Sequence, residues 1–467
     1  MSIQSINPAT EEVLETFEPY SKEQINDALT QARHAFLQWR ETSFGERSAY
    51  LRRVASYLRE HKDELARRAT LEMGKPIVES EAEVEKCAWN CDFYAEHAEQ
   101  FLADEQVKSN ASESYVSFQP LGVVLALMPW NFPYWQVFRF AAPALMAGNT
   151  AVLKHASNVS RVALDIERIF QECGLPQGVF RTVLVPGSET AALIEDSRIA
   201  AVTLTGSDAA GVAVASTSGR VLKKNVLELG GSDAFIVLAD ADLDAAAQMA
   251  TRARFQNTGQ SCIAAKRFIV VESVARAFEH KFVEAATKLH VGNPLYRETQ
   301  IGPMARGDLR DSLQRQVRAS IAMGAHVLLG GKLRDGKGYY YEPTIITDVT
   351  PDMPIFREET FGPVAAVISA RDAEHALELA NDSQFGLGGN LWTRNIEQAR
   401  KLARRLESGG VFINGMTASD PRLPFGGIKH SGYGRELSSF GIREFVNIQT
   451  IWIGPAVSAA STQAPSE

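Results

Sequence analysis

The sequence predicts an α/β protein: a mostly parallel, doubly wound sheet followed by a second α/β domain. Three observations carry this expectation. Short apolar runs alternate with helix-length segments from residue 121 to 229, a pattern that calls for right-handed crossovers between parallel strands. A second alternating series starts near Gly231. At 467 residues the chain also exceeds what one simple core accommodates, so two or three domains are expected.

The first hundred residues are helical in pattern. Ile25, Ala28, Leu29, Ala32, Ala35, Phe36 and Trp39 recur at spacings of three and four across 22–40. A second run, 46–73, stops at Gly74 with Pro76 just beyond. A third, 77–102, carries Cys87 and Cys91 four residues apart. No other Cys or His offers a matching half-site, so the two read as small buried residues rather than metal ligands. Alternation over 113–119 predicts a half-exposed strand.

Five apolar runs follow at 121–127, 150–154, 181–185, 199–204 and 226–229. The helices between them are expected at 133–147, 158–173, 188–196 and 208–218, with Asn158 and Ser188 as N-caps. In the second series 268–271, 364–368 and 411–414 are strand-like, and 274–288, 306–323, 373–381 and 395–407 are helix-like. The Ala/Ser/Pro-rich stretch 456–467 is expected to fray.

Bulk properties exclude several function classes. A net charge of −8 with no dense Lys/Arg block makes nucleic acid and anionic membrane poor partners. No basic and then apolar leader opens the chain, and no apolar run is long enough to span a bilayer. Four cysteines in so long a chain do not form a disulfide framework, and a reducing cytoplasm is the expected setting.

Chemistry is expected first at Cys262. It lies in Asn257-Thr258-Gly259-Gln260-Ser261-Cys262, a polar loop before a strand. Such a thiol is accessible, and its thiolate is a strong nucleophile once a base or positive field supports it. Glu228 interrupts the apolar run Val226-Leu227-Glu228-Leu229 at a strand's carboxyl end, where partial burial makes a carboxylate a useful base. A salt-bridged strand-end Glu is the plainer alternative. Asn131, in Pro129-Trp130-Asn131-Phe132-Pro133, offers an amide donor to an oxyanion or a cap to the next helix. Thr205-Gly206-Ser207 opens a helix with small residues, which suits a pyrophosphate. It lacks the Lys of a P-loop, which disfavours a kinase or ATPase. Lys154 ends a strand where an ammonium can meet a ribose or phosphate.

In this order and spacing, PWNFP, a Lys-ended strand, TGS, ELGG, GQ-x-C, EE-x-FGP and PFGG-x-K-x-SG-x-GRE resemble the aldehyde dehydrogenase superfamily. The resemblance runs from Ile6 to Thr450, nearly the whole chain. It implies a dinucleotide-binding domain at 1–108 and 120–230, a catalytic domain at 231–447 and a small β oligomerisation flap at 109–119 and 448–458. A flexible tail at 459–467 would follow, and the protein would assemble as a homodimer or homotetramer. It also implies Cys262 as nucleophile, Glu228 as the base that activates the hydrolytic water, and Asn131 with the Cys262 backbone N–H as oxyanion hole. Trp130, Gly206, Ser207, Leu229, Glu359 and Phe361 would line the cofactor site, and Glu436 would lie near the catalytic water in a secondary role. No metal is required for this chemistry.

Two departures bear on specificity. Family members often carry Lys-Pro-Ser-Glu after the second Rossmann strand, whereas this chain reads Lys154-His155-Ala156-Ser157. Loss of the repelling acid implies use of NADP as well as NAD, with Lys154 and Ser157 on the 2′-phosphate. Arg139, nine residues after Trp130 beside Trp135, resembles the carboxylate anchor of succinate-semialdehyde dehydrogenases. Those enzymes commonly have a second Arg where this chain has Gln256, and Ser419 is expected to add a hydrogen bond. Some bacterial NAD(P)-using members share the WQV-x-R, KHA-x-N and YQNTGQ-like patterns. The alternative is a broad aldehyde dehydrogenase with an aromatic lining of Tyr134, Trp135, Phe138 and Phe255. Retention of Cys262, Glu228 and Asn131 disfavours a catalytically dead structural relative, and the ELGG glutamate disfavours a CoA-acylating one.

Overall fold

The computed structural model describes residues 2–454. The expected tail at 459–467, the residues 456–467 read as frayed, and the end of the flap at 455–458 lie outside the described residues. Two large sheets organise the rest. The first has six strands in the order Gly432–Tyr433, Lys224–Glu228, Ile199–Thr205, Val123–Met128, Thr150–His155, Phe180–Thr182. All its pairings are parallel except that of Gly432–Tyr433 with Lys224–Glu228. The second has seven strands in the order His326–Leu329, Thr344–Thr347, Val364–Ala370, Ala265–Val271, Asp233–Val237, Gly388–Trp392, Gly410–Ile413. Only its His326–Leu329 edge is antiparallel.

Both sheets are covered on both faces, so central strands such as Val123–Met128 and Val364–Ala370 are largely apolar instead of alternating. In Val123–Met128, Val124, Ala126 and Met128 join one core with Leu58, Phe138 and Ile166. Val123, Leu125 and Leu127 face another, with Leu29, Leu193 and Val214. The second sheet divides the same way, Ala234 and Ile236 to one side and Phe235 and Val237 to the other.

Several elements differ from the sequence expectation. The run 46–73 is two helices, Phe44–Glu60 and Lys62–Met73. His61 breaks it at φ −105° and ψ 16°, its ring stacked 3.9 Å from Tyr57. Asn158 and Ser188 are not side-chain caps. Each falls inside a 3-10 turn, 157–159 and 187–189, which displaces the helix start beyond it. Strands Asp233–Val237, Thr344–Thr347 and Gly388–Trp392 and helix Leu243–Phe255 were not expected. The strands are short, and Gly-Gly-Asn-Leu-Trp has none of the β-branched residues that mark a strand.

A third, antiparallel sheet joins Val446–Ile453, Glu113–Pro120 and Glu105–Gln106. It begins earlier than the 109–119 and 448–458 expected. Among the described residues no helix is long and apolar enough to cross a membrane.

Candidate active site

The winding of the first sheet reverses between Val123–Met128 and Ile199–Thr205, the place where open α/β sheets bind ligands. Trp130 and Asn131 leave one of these strands, Gly206 and Ser207 the other. Ser207 Oγ accepts from the Ala210 N–H at 3.3 Å and so caps helix Asp208–Arg220. Leu229 packs on that helix at Gly211, where a Cβ would lie 2.4 Å from its Cδ1. Lys154 is half-buried at the end of its strand, and burial lowers its pKa. Among the described residues it has no ion-pair or hydrogen-bond partner, so the ammonium is held ready for an anion. Ser157 is exposed three residues on.

Across the cleft, Glu359 accepts from the Gly231 N–H at 2.9 Å and lies 3.4 Å from Lys266 Nζ. A Cβ at Gly230 would sit 2.6 Å from Glu359 Oε2, so only glycine permits this approach. Phe361 meets Trp130 edge-on, centroids 5.7 Å apart. A cation, a helix N-terminus, a carboxylate and two aromatic rings are groups of the kind that a dinucleotide site uses.

The loop that carries Cys262 is strained and clamped. Asn257, Thr258 and Gly259 all have positive φ, 54°, 53° and 72°. For the two non-glycines this conformation costs on the order of 1–3 kcal/mol each. Buried Arg254 offsets it by donating to the carbonyls of Gly259 (2.7 Å), Ala265 (3.1 Å) and Thr360 (3.4 Å), and to that of Gly362. Lys266 Nζ donates to the Ser261 and Cys262 carbonyls at 3.0 and 2.8 Å. Asn131 Nδ2 donates to the Gln260 carbonyl at 3.2 Å, two residues from Cys262. Asn257 Nδ2 in turn holds the Asn131 carbonyl at 2.8 Å.

Cys262 is half-buried, whereas Cys87, Cys91 and Cys173 are buried. Burial pushes its thiol up to about 12, against the opposing pull of Arg139 and Lys266. The resting sulfur is therefore protonated at neutral pH. Alkylation of Cys262 by iodoacetamide should accelerate nearly tenfold per pH unit from pH 7 to 9, as the thiolate fraction grows. Peptide mapping follows that rate, and a plateau near pH 8 would contradict a raised thiol.

Glu228 is almost wholly buried at the end of its strand, and both carboxylate oxygens lack partners among the described residues. Burial holds its pKa well above the ordinary value, Glu436 adds to the rise, and Arg139 opposes it. Arg139 is buried, not a surface or interface residue. Its Nε is ion-paired with Glu436, its Nη2 donates to Thr205 Oγ1 at 3.2 Å, and its guanidinium stacks 4.7 Å over Phe425. Glu436 thus has a larger part than the minor one expected: it is the counter-ion of Arg139.

A cavity of about 330 Å³ is lined by Cys262, Arg139, Trp135, Gln256 and Ser419 among others. The aromatic lining expected is corrected in three of its four members. Tyr134, Phe138 and Phe255 are buried in the cores, because their helical positions face inward. Phe132 and Phe425 line the cavity with Trp135.

The aldehyde dehydrogenase family model matches residues 1–451. The chain belongs to the aldehyde dehydrogenase family. It is 52% identical over 448 residues to a succinate semialdehyde dehydrogenase (NAD(P)+) of Escherichia coli K12, covering 96% of this chain and 97% of that one. It is 50% identical over 462 residues to a succinate-semialdehyde dehydrogenase (NADP+) of Mycolicibacterium paratuberculosis, covering 98% of each. The crystal structure of succinic semialdehyde dehydrogenase from Streptococcus pyogenes in complex with NADP+ superposes with a TM-score of 0.95 at 39% identity, covering 97% of this chain and 100% of that one.

The supporting residues of this family member were missed in the sequence. Helix Ile77–Phe101 presents Glu79, Glu83, Lys86 and Asn90 toward the site at near-heptad spacing. Glu79 accepts from the Asn257 N–H at 2.7 Å, and Glu83, paired with Lys75, accepts from the Tyr134 and Trp135 N–H groups at 2.8 and 2.9 Å. Glu83 thereby caps the start of helix Trp135–Met146, which carries Trp135 and Arg139. Asn90 Nδ2 donates to the Phe138 carbonyl at 2.9 Å. Arg254 and Lys266 gave no signal as lone charges, since each stands near another arginine, Arg252 and Arg267.

Proposed function

We propose that this chain oxidises succinate semialdehyde to succinate with NADP+ or NAD+. The observation that carries the reading is the cavity itself. Its lining brings together the Cys262 thiol, the cationic side chains of Arg139 and Lys86 and the Ser419 hydroxyl, and a volume of about 330 Å³ suits a short chain ending in a carboxylate. The substrates and cofactors in the relatives' names support the same reading. Segments 1–108 and 120–230 would bind the dinucleotide, and 231–447 would supply the thiol.

In this reading the Cys262 thiol gives its proton to water, and its sulfur bonds to the aldehyde carbon as the C=O π pair moves onto oxygen. The alkoxide that forms takes hydrogen bonds from Asn131 Nδ2 and the Cys262 N–H. Bound dinucleotide supplies the hydride acceptor, and the carbon left on sulfur is a thioester. Glu228 then removes a proton from water as that water attacks the thioester, releasing the carboxylate and the thiol. Lys154 and Ser157 would hold the 2′-phosphate of NADP+. Trp130, Gly206, Ser207, Leu229, Glu359 and Phe361 would frame the rest of the cofactor. Among the described residues no carboxylate is paired with Lys154, which favours NADP+ use.

Steady-state kinetics with succinic semialdehyde, glutaric semialdehyde, benzaldehyde and hexanal, each with both cofactors, test the proposal. Succinic semialdehyde should have the highest kcat/KM, with both cofactors accepted. Equal turnover of hexanal would favour the broad-specificity alternative, for which Phe132, Trp135 and Phe425 provide the apolar wall. A thousandfold preference for NAD+ would refute dual cofactor use.

The three-stranded sheet supports assembly into a homodimer or homotetramer. Ile448, Trp452 and Ile453 are exposed on its Val446–Ile453 edge strand, an apolar edge that a second copy would cover. Light scattering should give two or four times the chain mass, and a monomer mass rules this out. The unpaired thiols of the chain support a reducing, cytoplasmic setting.

A further inference from the structure

The cavity holds a cation that the arginine-centred reading passes over. Lys86, on helix Ile77–Phe101, lines it together with Cys262. Its Nζ donates to Ser419 Oγ at 2.7 Å and lies 4.3 Å over the Trp135 ring. The other charges near this corner are already matched. Lys75 is paired with Glu83 and Arg139 with Glu436, while Arg252, exposed at the rim, faces Glu79. Among the described residues no carboxylate lies within ion-pair distance of Lys86.

The donor count points the same way. An ammonium has three N–H donors, and Ser419 takes one. Ser419 accepts that bond, so its own hydroxyl proton remains free. Neither the remaining Lys86 donors nor the Ser419 hydroxyl has an acceptor among the described residues. Burial, reinforced by the neighbouring Arg139, lowers the Lys86 pKa to about 8, and the opposing influences of Cys87, Asp420 and Glu83 do not cancel this. A half-buried cation with unfilled donors is the arrangement an incoming carboxylate stabilises most. Arg139 is less available, because Glu436 and Thr205 already engage its guanidinium.

We propose that Lys86, oriented by Ser419 and Trp135, is the specificity-determining residue that receives the substrate carboxylate while the aldehyde carbon sits at Cys262. Arg139 then serves chiefly to hold Glu436 and to temper the charge around Glu228. This assignment rests on the reading of the substrate as a short oxo acid.

The test compares wild type, Lys86→Met and Lys86→Arg with succinate semialdehyde and with hexanal near neutral pH. Methionine keeps the stem against Trp135 and deletes the charge. KM for succinate semialdehyde should rise about 10- to 100-fold in Lys86→Met, the loss of a charge-assisted hydrogen bond, with little change in kcat. The ratio of kcat/KM for the two aldehydes should fall by the same factor, and Lys86→Arg should recover most of it. A wild-type preference for succinate semialdehyde that survives Lys86→Met overturns the assignment alone. A wild type without that preference overturns the substrate reading and this assignment with it. Should Lys86→Met fail to fold, Lys86→Gln carries the same readout.

Discussion

Cys262→Ala is expected to lose at least about 10⁴-fold in kcat with any aldehyde, since removal of a covalent nucleophile leaves only binding and the oxyanion donors. The loop around it should survive the change. Its positive-φ turn is held by Arg254 and Lys266 through backbone carbonyls, none of which needs the sulfur. NADP+ should therefore still bind, which fluorescence titration of the variant would read directly. Turnover near the wild-type level would end the thiol mechanism, while loss of both turnover and cofactor binding would mean that the loop had collapsed. The half-buried thiol, pushed up to about 12, adds a further expectation. Wild-type kcat/KM should climb with pH through the neutral range, because the nucleophile starts protonated.

Glu228→Gln should separate the two halves of the reaction. Formation of the thioester does not need the carboxylate as water's base, so a first turnover of cofactor reduction should persist. Hydrolysis should slow by about 10²–10⁴-fold, the usual worth of a positioned general base. The acylated chain should then accumulate and appear as an added mass on the intact protein. Steady-state turnover falling without an adduct would place the role of Glu228 before the thioester. The fold should tolerate the change well, because a neutral amide replaces a carboxyl whose charged form burial and Glu436 disfavour. A stabilised variant, seen as a raised Tm, would be consistent with an uncompensated carboxylate in the wild type.

Much of this was legible along the chain because it rests on local rules. Period-3.6 patterns placed helices such as Lys22–Trp39 and Ala373–Asn381 closely. The alternation of strand and helix required crossovers, and crossovers required a parallel sheet. Among the missed elements, Thr344–Thr347 is β-branched throughout but only four residues long, whereas Gly388–Trp392 has no local strand signal. Gly388–Trp392 is a central strand by virtue of its two neighbours, not its composition. The break at His61 depends on the ring meeting Tyr57.

Sequence alone determined the chemical identity of this protein. Ordered motifs across nearly the whole chain named the family, and with it a thiol at Cys262 and a carboxylate at Glu228. A polar residue lodged in an apolar strand or at a loop's end costs folding free energy, so its presence there is visible in one dimension. What only the tertiary structure decided is how those charges are matched. Arg139 and Glu436 are about three hundred residues apart, as are Lys86 and Ser419, and no local pattern relates them. Folding sets one of these cations against a buried carboxylate and leaves the other facing the cavity, with Ser419 its one acceptor among the described residues. A charge is visible in a sequence, but its partner is a matter of distance in space.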